Sequence, residues 1–302
     1  MDSIAQFREL LSLPNDAHFP EDIMKNVVWC ERTFERHNFK TTRLATDRLP
    51  LLLAERGVPG AAKTVLIYLQ LDGQPVDPSH WNQPSPWDPV LKKPGLAPGE
   101  WDIVPWSKLQ EDYDPNDRIF ARASSDAKGP VAMFLAALSA ASDLGVQPNF
   151  NMKIIMDFEE ELGSPRLAET VVQNRDALAA DMLVIFDGPR HISNQPTLTY
   201  GARGIATLAL EVFGPRAPQH SGHYGNYAPN PALRLAELLA SMKDEEGRVL
   251  LPGWYDGIAL SDEVREILRQ VPDDEDEIKR KIGIAKTNAV AQNYQESMQY
   301  PS

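Results

Sequence analysis

Carboxylate side chains occur at four places in this sequence where an apolar stretch gives way to a turn. Asp72 follows the run TVLIYLQL, and Asp187 follows MLVIF. The glutamates Glu159–Glu161 follow NMKIIMDF, and Asp126 lies in SSDAKGP, just before an apolar helical pattern. Carboxylates that meet in a folded protein repel one another, and bound divalent cations are the usual way to stabilise such a group. Acids gathered in this way can bind metal and hold an attacking water for hydrolysis.

The elements that must position these acids are short buried strands. Continuous apolar runs of this length are typical of strands that are covered on both faces of a parallel sheet. The carboxyl ends of parallel strands lie along one edge, where open α/β sheets build their sites, so we expect the acids to converge there. Ser164 and Pro165 suit the start of the helix that follows the glutamates. Each acid taken singly has a simpler explanation, since acids before a helix complement its dipole and are often only solvated.

Composition limits the class of protein and its partners. The chain has 302 residues with a net charge of −13, which argues against a nucleic-acid partner and against an anionic membrane surface. We found neither a long apolar run nor a secretory signal in the sequence. Cys30 is the only cysteine, so an internal disulfide is excluded and a reducing compartment is favoured. We therefore expect a cytoplasmic protein.

The remaining elements are predicted from apolar periodicity and turn residues. Helical spacing predicts helices at the N-terminus and over residues 21–37, and strands are expected over 49–53 and 118–123. Residues 91–115 are predicted to form a loop. Alternation over Ile205–Val212 predicts a strand of a second sheet, so we place a domain boundary after residue 200, with domains 1–200 and 201–302.

Six motifs in the same order resemble one known family. They are LIYLQLDGQPVDPSHW, ARASSDAKGP, FEEELGSPRL, VIFDG, YGARG and QHSGHYG. Together they resemble the co-catalytic zinc metallopeptidases that include carnosinase, carboxypeptidase G and succinyl-diaminopimelate desuccinylase, with most similarity to the carnosinase-like dipeptidase branch. The resemblance covers about residues 60–302. It implies an α/β fold with a mostly parallel central sheet flanked by helices, as in zinc exopeptidases. It also implies a smaller α+β lid, incomplete here, that commonly pairs subunits into a homodimer.

The resemblance implies a role for each of the acids. Asp126 resembles the aspartate that bridges two divalent metal ions, expected to be zinc with manganese as the alternative. Glu161 and Asp187 resemble terminal ligands, one for each ion. Glu160 resembles the general base that takes a proton from the bridging water, and Asp72 the acid that supports the site from behind its ligands.

Three further features qualify this assignment. His220, in QHSG, resembles a lid histidine that binds substrate and stabilises the oxyanion. Gln70 stands where the family pattern His-x-Asp has a metal-binding histidine, and an amide oxygen is a poor zinc ligand but acceptable to manganese or magnesium. The family's last metal histidine would follow residue 302, so we expect a fragment or a truncated relative.

The leading functional hypothesis is metal-dependent hydrolysis of an amide bond in a small peptide, of the dipeptidase or exopeptidase type, or in an N-acyl amino acid. The alternative is a catalytically impaired homologue that acts as a binding or assembly module, because Gln70 replaces a histidine. A third hypothesis is a magnesium site for phosphoryl transfer. It is disfavoured because the chain lacks the phosphate loop G-x-x-x-x-G-K-[ST].

Overall fold

Eight strands are present in the residues that the computed structural model describes, which are 3–97, 99–188, 191, 193, 195–199, 201–202 and 204–301. They are β1 (Lys40–Leu44), β2 (Leu51–Arg56), β3 (Thr64–Gln70), β4 (Val90–Pro94), β5 (Trp101–Val104), β6 (Arg118–Phe120), β7 (Asn151–Asp157) and β8 (Met182–Ile185). The central sheet has the order β1-β2-β7-β3-β8, and a smaller sheet has the order β5-β4-β6.

The described residues also form α-helices in both halves of the chain. They are α1 (Ser3–Leu11), α2 (Pro20–Arg36), α3 (Lys108–Glu111), α4 (Lys128–Asp143), α5 (Leu167–Gln173), α6 (Arg175–Leu178), α7 (Ser221–Tyr224), α8 (Pro231–Ala240), α9 (Asp262–Arg269), α10 (Glu275–Ile282) and α11 (Tyr294–Ser297). Within the described ranges, no helix combines the length and the apolar composition needed to cross a bilayer.

The central sheet is mixed, which refines the predicted α/β class. Strand β3 runs parallel to both β7 and β8, whereas β2 is antiparallel to β7 and β1 is antiparallel to β2. The α/β class is confirmed, but the description as mostly parallel holds only for the half of the sheet that carries the acids. The short connection 45–50 explains the antiparallel pairing of β1 with β2, because a connection of that length can join only antiparallel neighbours.

Apolar packing between the sheet and its helices fixes the position of the strands. Phe34 of α2 stacks on Phe134 of α4, and both belong to a buried cluster with Leu69 of β3 and Ile154 of β7. Burying a side chain of this size contributes about 1.5 to 3 kcal/mol. The cluster therefore holds the middle strands rigidly, and with them the edge at which those strands end.

The small sheet corrects two predictions. The strand expected over residues 118–123 is only three residues long, and it pairs with β4 rather than joining the central sheet. The expected loop 91–115 contains β5 and α3. Cross-strand contacts explain the pairing, because Phe120 packs edge-on against Trp101 and lies beneath the ammonium group of Lys92.

The chain divides into two compact units, Met1–Gly188 and Pro189–Ser302. The described residues of the second unit contain helices and one isolated bridge between Lys243 and Val249, but no strand. The strand predicted over Ile205–Val212 is therefore wrong. Ile205 is 91% exposed, and none of its described neighbours supplies the paired strand that such a segment needs. The roles predicted for residues 1–200 and 201–302, catalytic domain and lid, stay predictions.

Candidate metal centre

The carboxyl ends of three parallel strands lie side by side in the first unit. Gln70, at the end of β3, is in register with Asp157, at the end of β7. Strand β8 lies on the other side of β3 and ends two residues before Asp187. Asp126 reaches the same edge by a different route, since it follows the small sheet and precedes the first turn of α4.

Three carboxylates surround the side-chain amide of Gln70. Its Nε2 atom lies 3.3 Å from Glu160 Oε2, 3.4 Å from Asp126 Oδ1 and 3.5 Å from Asp187 Oδ1. Gln70 is only 2% exposed. Three of the predicted acids, which lie 56, 90 and 117 residues after Gln70 in the chain, thus meet at one atom, although the roles assigned to those acids stay predictions.

Asp72 holds the turn that carries the glutamates. This turn is a 3₁₀ helix over Glu160–Leu162. The backbone N–H groups of Glu160 and Glu161 donate to the two carboxylate oxygens of Asp72, at 3.1 and 3.0 Å. Burial raises the pKa of Asp72 to about 7, while these two backbone donors act in the opposite direction. Asp72 therefore positions Glu160 through the main chain and is a positioning residue.

Glu160 and Glu161 point in different directions, as expected for neighbours on a turn. Glu160 faces Gln70, and burial, followed by the like charges of nearby acids, raises its pKa above the ordinary value. The carboxylate of Glu161 instead accepts a hydrogen bond of 2.5 Å from Nε2 of Gln74. Gln74 was not anticipated from the sequence, where it appeared only as part of a proline-rich loop.

Glu159 is a buried carboxylate held by two arginines. Arg48 donates to its Oε1 atom, and Nη1 of Arg166 lies 3.2 Å from both of its oxygens. Arg166 also forms an ion pair with Asp47. Sequence reasoning gave Glu159 no partner, although a buried carboxylate needs a cation. The network fixes Glu159, the residue that directly precedes the glutamate turn.

Lys128 is a second buried charge that the sequence analysis missed. It begins α4, two residues after Asp126, and its Nζ atom donates to the carbonyl oxygens of Leu10, at 2.9 Å, and Leu13. Burial lowers its pKa to about 7. Lys128 thus ties the start of α4 to the end of α1. A lysine at the head of an otherwise apolar helix was the only signal for it in the sequence.

His220 lies in the second unit and is exposed. Its Nδ1 atom accepts the N–H of Gly222 at 3.0 Å, so the side chain caps α7. Its ring lies 4.9 Å from that of His223, measured between centroids. The predicted contact with substrate stays a prediction.

Comparison with known proteins shows which peptidase family this chain is similar to. Residues 96–199 match the family described as "Peptidase family M20/M25/M40". The chain is 32% identical over 212 residues to the Beta-Ala-His dipeptidase of Mus musculus, an alignment that covers 70% of this chain and 38% of that protein. These findings show that the chain is similar to peptidases of the M20/M25/M40 family. It is also 30% identical over 214 residues to the Cys-Gly metallodipeptidase dug1 of Schizosaccharomyces pombe, covering 70% of this chain and 40% of that protein.

The fold agrees with this similarity. An M20 family metallo-carboxypeptidase from Sulfolobus solfataricus, Sso-CP2, superposes with a TM-score of 0.69 and 25% identity, covering 99% of this chain and 62% of the other. The predicted resemblance is therefore confirmed. The chain spans about two fifths of the length of the curated relatives named above. Similarity to this family and to a metallodipeptidase supports dependence on a divalent metal.

The side chains at the edge fit an oxygen-binding cation better than zinc. The described residues include no group of three or more His, Cys, Asp or Glu side chains already placed to hold a metal ion. Around Gln70 the candidate ligands are carboxylates and the amide itself, and its buried Oε1 atom finds no hydrogen-bond partner among the described residues. Zinc prefers nitrogen and sulfur, whereas magnesium and manganese prefer oxygen. Asp126, Asp187 and Gln70 would hold the ion.

Proposed function

We propose that the protein hydrolyses the amide bond of a small peptide, in the manner of a dipeptidase or exopeptidase, or of an N-acyl amino acid. The observation that carries the proposal is the meeting of Asp126, Glu160 and Asp187 around Gln70, at the edge where α/β sheets build their sites. Relatives named as Beta-Ala-His and Cys-Gly dipeptidases support peptides as the substrate class.

A divalent cation bound at this edge supplies Lewis-acid chemistry, polarising the substrate carbonyl and lowering the pKa of water. Asp126 and Asp187 would hold the cation, and Glu161 would hold a second ion. Zinc is the ion most often used by such enzymes, and manganese suits the oxygen ligands found here.

Glu160 acts as the general base in this proposal. It takes a proton from the attacking water and passes it to the leaving amine. Burial and the neighbouring acids raise its pKa, which brings the carboxylate closer to the range in which a base both accepts and releases a proton near neutral pH. Asp72 keeps Glu160 directed toward the ligands through the two backbone hydrogen bonds. Stabilisation of the oxyanion by His220 is part of the same proposal.

The proposal also covers partners and location. The net charge of −13 supports a small peptide substrate rather than nucleic acid or an anionic membrane. The second unit is proposed to pair two copies of the chain, and the single cysteine supports action in the cytoplasm.

The test is hydrolysis of Cys-Gly and β-Ala-His by the full chain, loaded with manganese or with zinc and followed by amine release. The Glu160→Gln variant should lose at least about 100-fold in kcat and keep its metal content, because only proton transfer is removed. Glu169→Gln, a change at an exposed glutamate of α5, is the matched control and should keep full activity. Normal turnover by Glu160→Gln would remove that residue's role. A metal-loaded wild-type chain that cleaves neither dipeptide nor an N-acyl amino acid would contradict the function itself.

A further inference from the structure

The amide of Gln70 is poorly matched to its surroundings in the orientation that the structure shows. An amide nitrogen has two hydrogens, yet three carboxylate oxygens lie 3.3 to 3.5 Å from it. These distances exceed the usual 2.7 to 3.2 Å of a good N–H···O bond. The other end of the same amide, Oε1, is buried and accepts no hydrogen bond from the described residues. The amide of Gln70 thus has too few N–H hydrogens for the three carboxylates, and its oxygen is an unused acceptor.

A half-turn of the amide would bring its unused oxygen to the carboxylates, where it can bind a cation together with them. Rotation about the terminal side-chain torsion, which is broad and roughly two-fold, exchanges Oε1 and Nε2 without moving the backbone. The backbone itself is held, because the N–H of Leu71 donates to the carbonyl of Asp157 at 3.1 Å and Gln70 is paired with that residue. After rotation Oε1 lies among the carboxylates. A further oxygen acceptor is favourable there only beside a positive charge.

We propose that Gln70 is a two-position metal ligand: its Nε2 faces the acids without metal, and its Oε1 binds one hard divalent cation together with Asp126 and Asp187. The inference rests on the proposed function, since it concerns the same edge, but it adds the class of ion. An all-oxygen set selects manganese or magnesium, and it lowers the preference for zinc that an imidazole at position 70 would give.

The test measures metal binding without any peptide. The full chain, stripped of metal, is titrated calorimetrically with manganese chloride and, separately, with zinc chloride. Gln70→Leu should lose at least tenfold in manganese affinity because a ligand is gone. Gln70→His should change the ratio of zinc to manganese affinity at least tenfold in favour of zinc. Gln83→Leu is the control, since Gln83 is also buried but donates to the carbonyls of Asp88 and Phe120, and its metal affinities should not change.

Two results would overturn the inference. Manganese affinity that is unchanged or tighter in Gln70→Leu would mean that the amide only occupies the position of the ion. A ratio that stays within twofold in Gln70→His would mean that position 70 does not select the metal. Either result, with dipeptide hydrolysis intact in the wild type, leaves the proposed function standing. If the wild type hydrolyses neither dipeptides nor N-acyl amino acids while the variants show the expected metal affinities, the proposed function is contradicted and this inference stands.

Discussion

Replacing Lys128 with methionine should destabilise the protein at pH 10 and stabilise it at pH 6. The change removes the two hydrogen bonds that Nζ makes to Leu10 and Leu13 while keeping most of the side-chain volume. It also removes a fully buried titratable group. The first effect destabilises the variant at every pH, whereas the second depends on pH.

The magnitude follows from the pKa of Lys128. Burial lowers it from 10.5 to about 7, so the unfolded chain binds the proton more tightly between these values. Wild-type stability is therefore lost as the pH falls from 10.5 toward 7, by about 5 kcal/mol in all. Two hydrogen bonds are worth about 2 kcal/mol together. The Lys128→Met variant should then be about 1 kcal/mol less stable than wild type at pH 10 and about 3 kcal/mol more stable at pH 6.

The assay is urea unfolding of both proteins at each pH, followed by far-ultraviolet circular dichroism. Only the difference between variant and wild type is used, so titration of shared groups cancels. Lys153→Met is the control, because Lys153 also donates to two carbonyls, those of Ala177 and Ala179, but from an exposed position. Lys153→Met should be less stable than wild type at both pH values, because it loses hydrogen bonds but no fully buried amine. If the free energies of unfolding of Lys128→Met and wild type differ by the same amount at pH 6 and pH 10, the proposed effect of burying Lys128 is wrong.

Two further substitutions test the elements that hold the site. Gly129→Ala would place a Cβ atom 2.6 Å from the carbonyl oxygen of Ser124, so it should displace the turn that carries Asp126, cost about 1 to 3 kcal/mol in urea unfolding and weaken manganese binding. Gly201→Ala, where no described atom lies within 4 Å, is the control, and equal behaviour of the two variants would contradict the packing argument. Asp72→Asn leaves one backbone N–H of the glutamate turn without an acceptor, so it should cost about 1 to 3 kcal/mol and lower kcat more than it raises KM. An unchanged kcat in that variant would show that the turn does not depend on Asp72.

The middle of the fold could be predicted from the sequence because the relevant signal is local. The buried strands β3, β7 and β8 are continuous apolar runs, and each is followed by an acid within a few residues. Parallel pairing then brings Asp187 and the glutamate turn to one edge without further information. The antiparallel pairing of β1 with β2 follows from the short connection between them, and the prediction did not use the length of that connection.

The contacts that complete the site could not be predicted, because they join distant segments. Arg48 and Glu159 are 111 residues apart, and Lys128 and Leu10 are 118 residues apart. A local pattern shows that Glu159 and Lys128 are charged but does not show that they are buried. Asp126 was expected at the edge of the central sheet on a strand of that sheet, whereas it arrives there from the small one.

The second unit shows the limit of alternation as a signal. The pattern over Ile205–Val212 is typical of a strand, but a strand forms only where a neighbour completes its hydrogen bonds. The described residues of this unit supply no such neighbour. Pattern alone therefore predicted the strand, and the lack of a partner explains why it is not there.

Anomalous diffraction from crystals of the full chain grown with manganese tests most directly whether a divalent ion binds among Asp126, Asp187 and Gln70. We expect a manganese peak at the carboxyl edge of β3, with oxygens of Asp126, Asp187 and Gln70 at metal–oxygen bonding distances of about 2.0 to 2.6 Å. A manganese-saturated crystal with no peak at this edge, or with Asp126 and Asp187 bound to no ion, would contradict it.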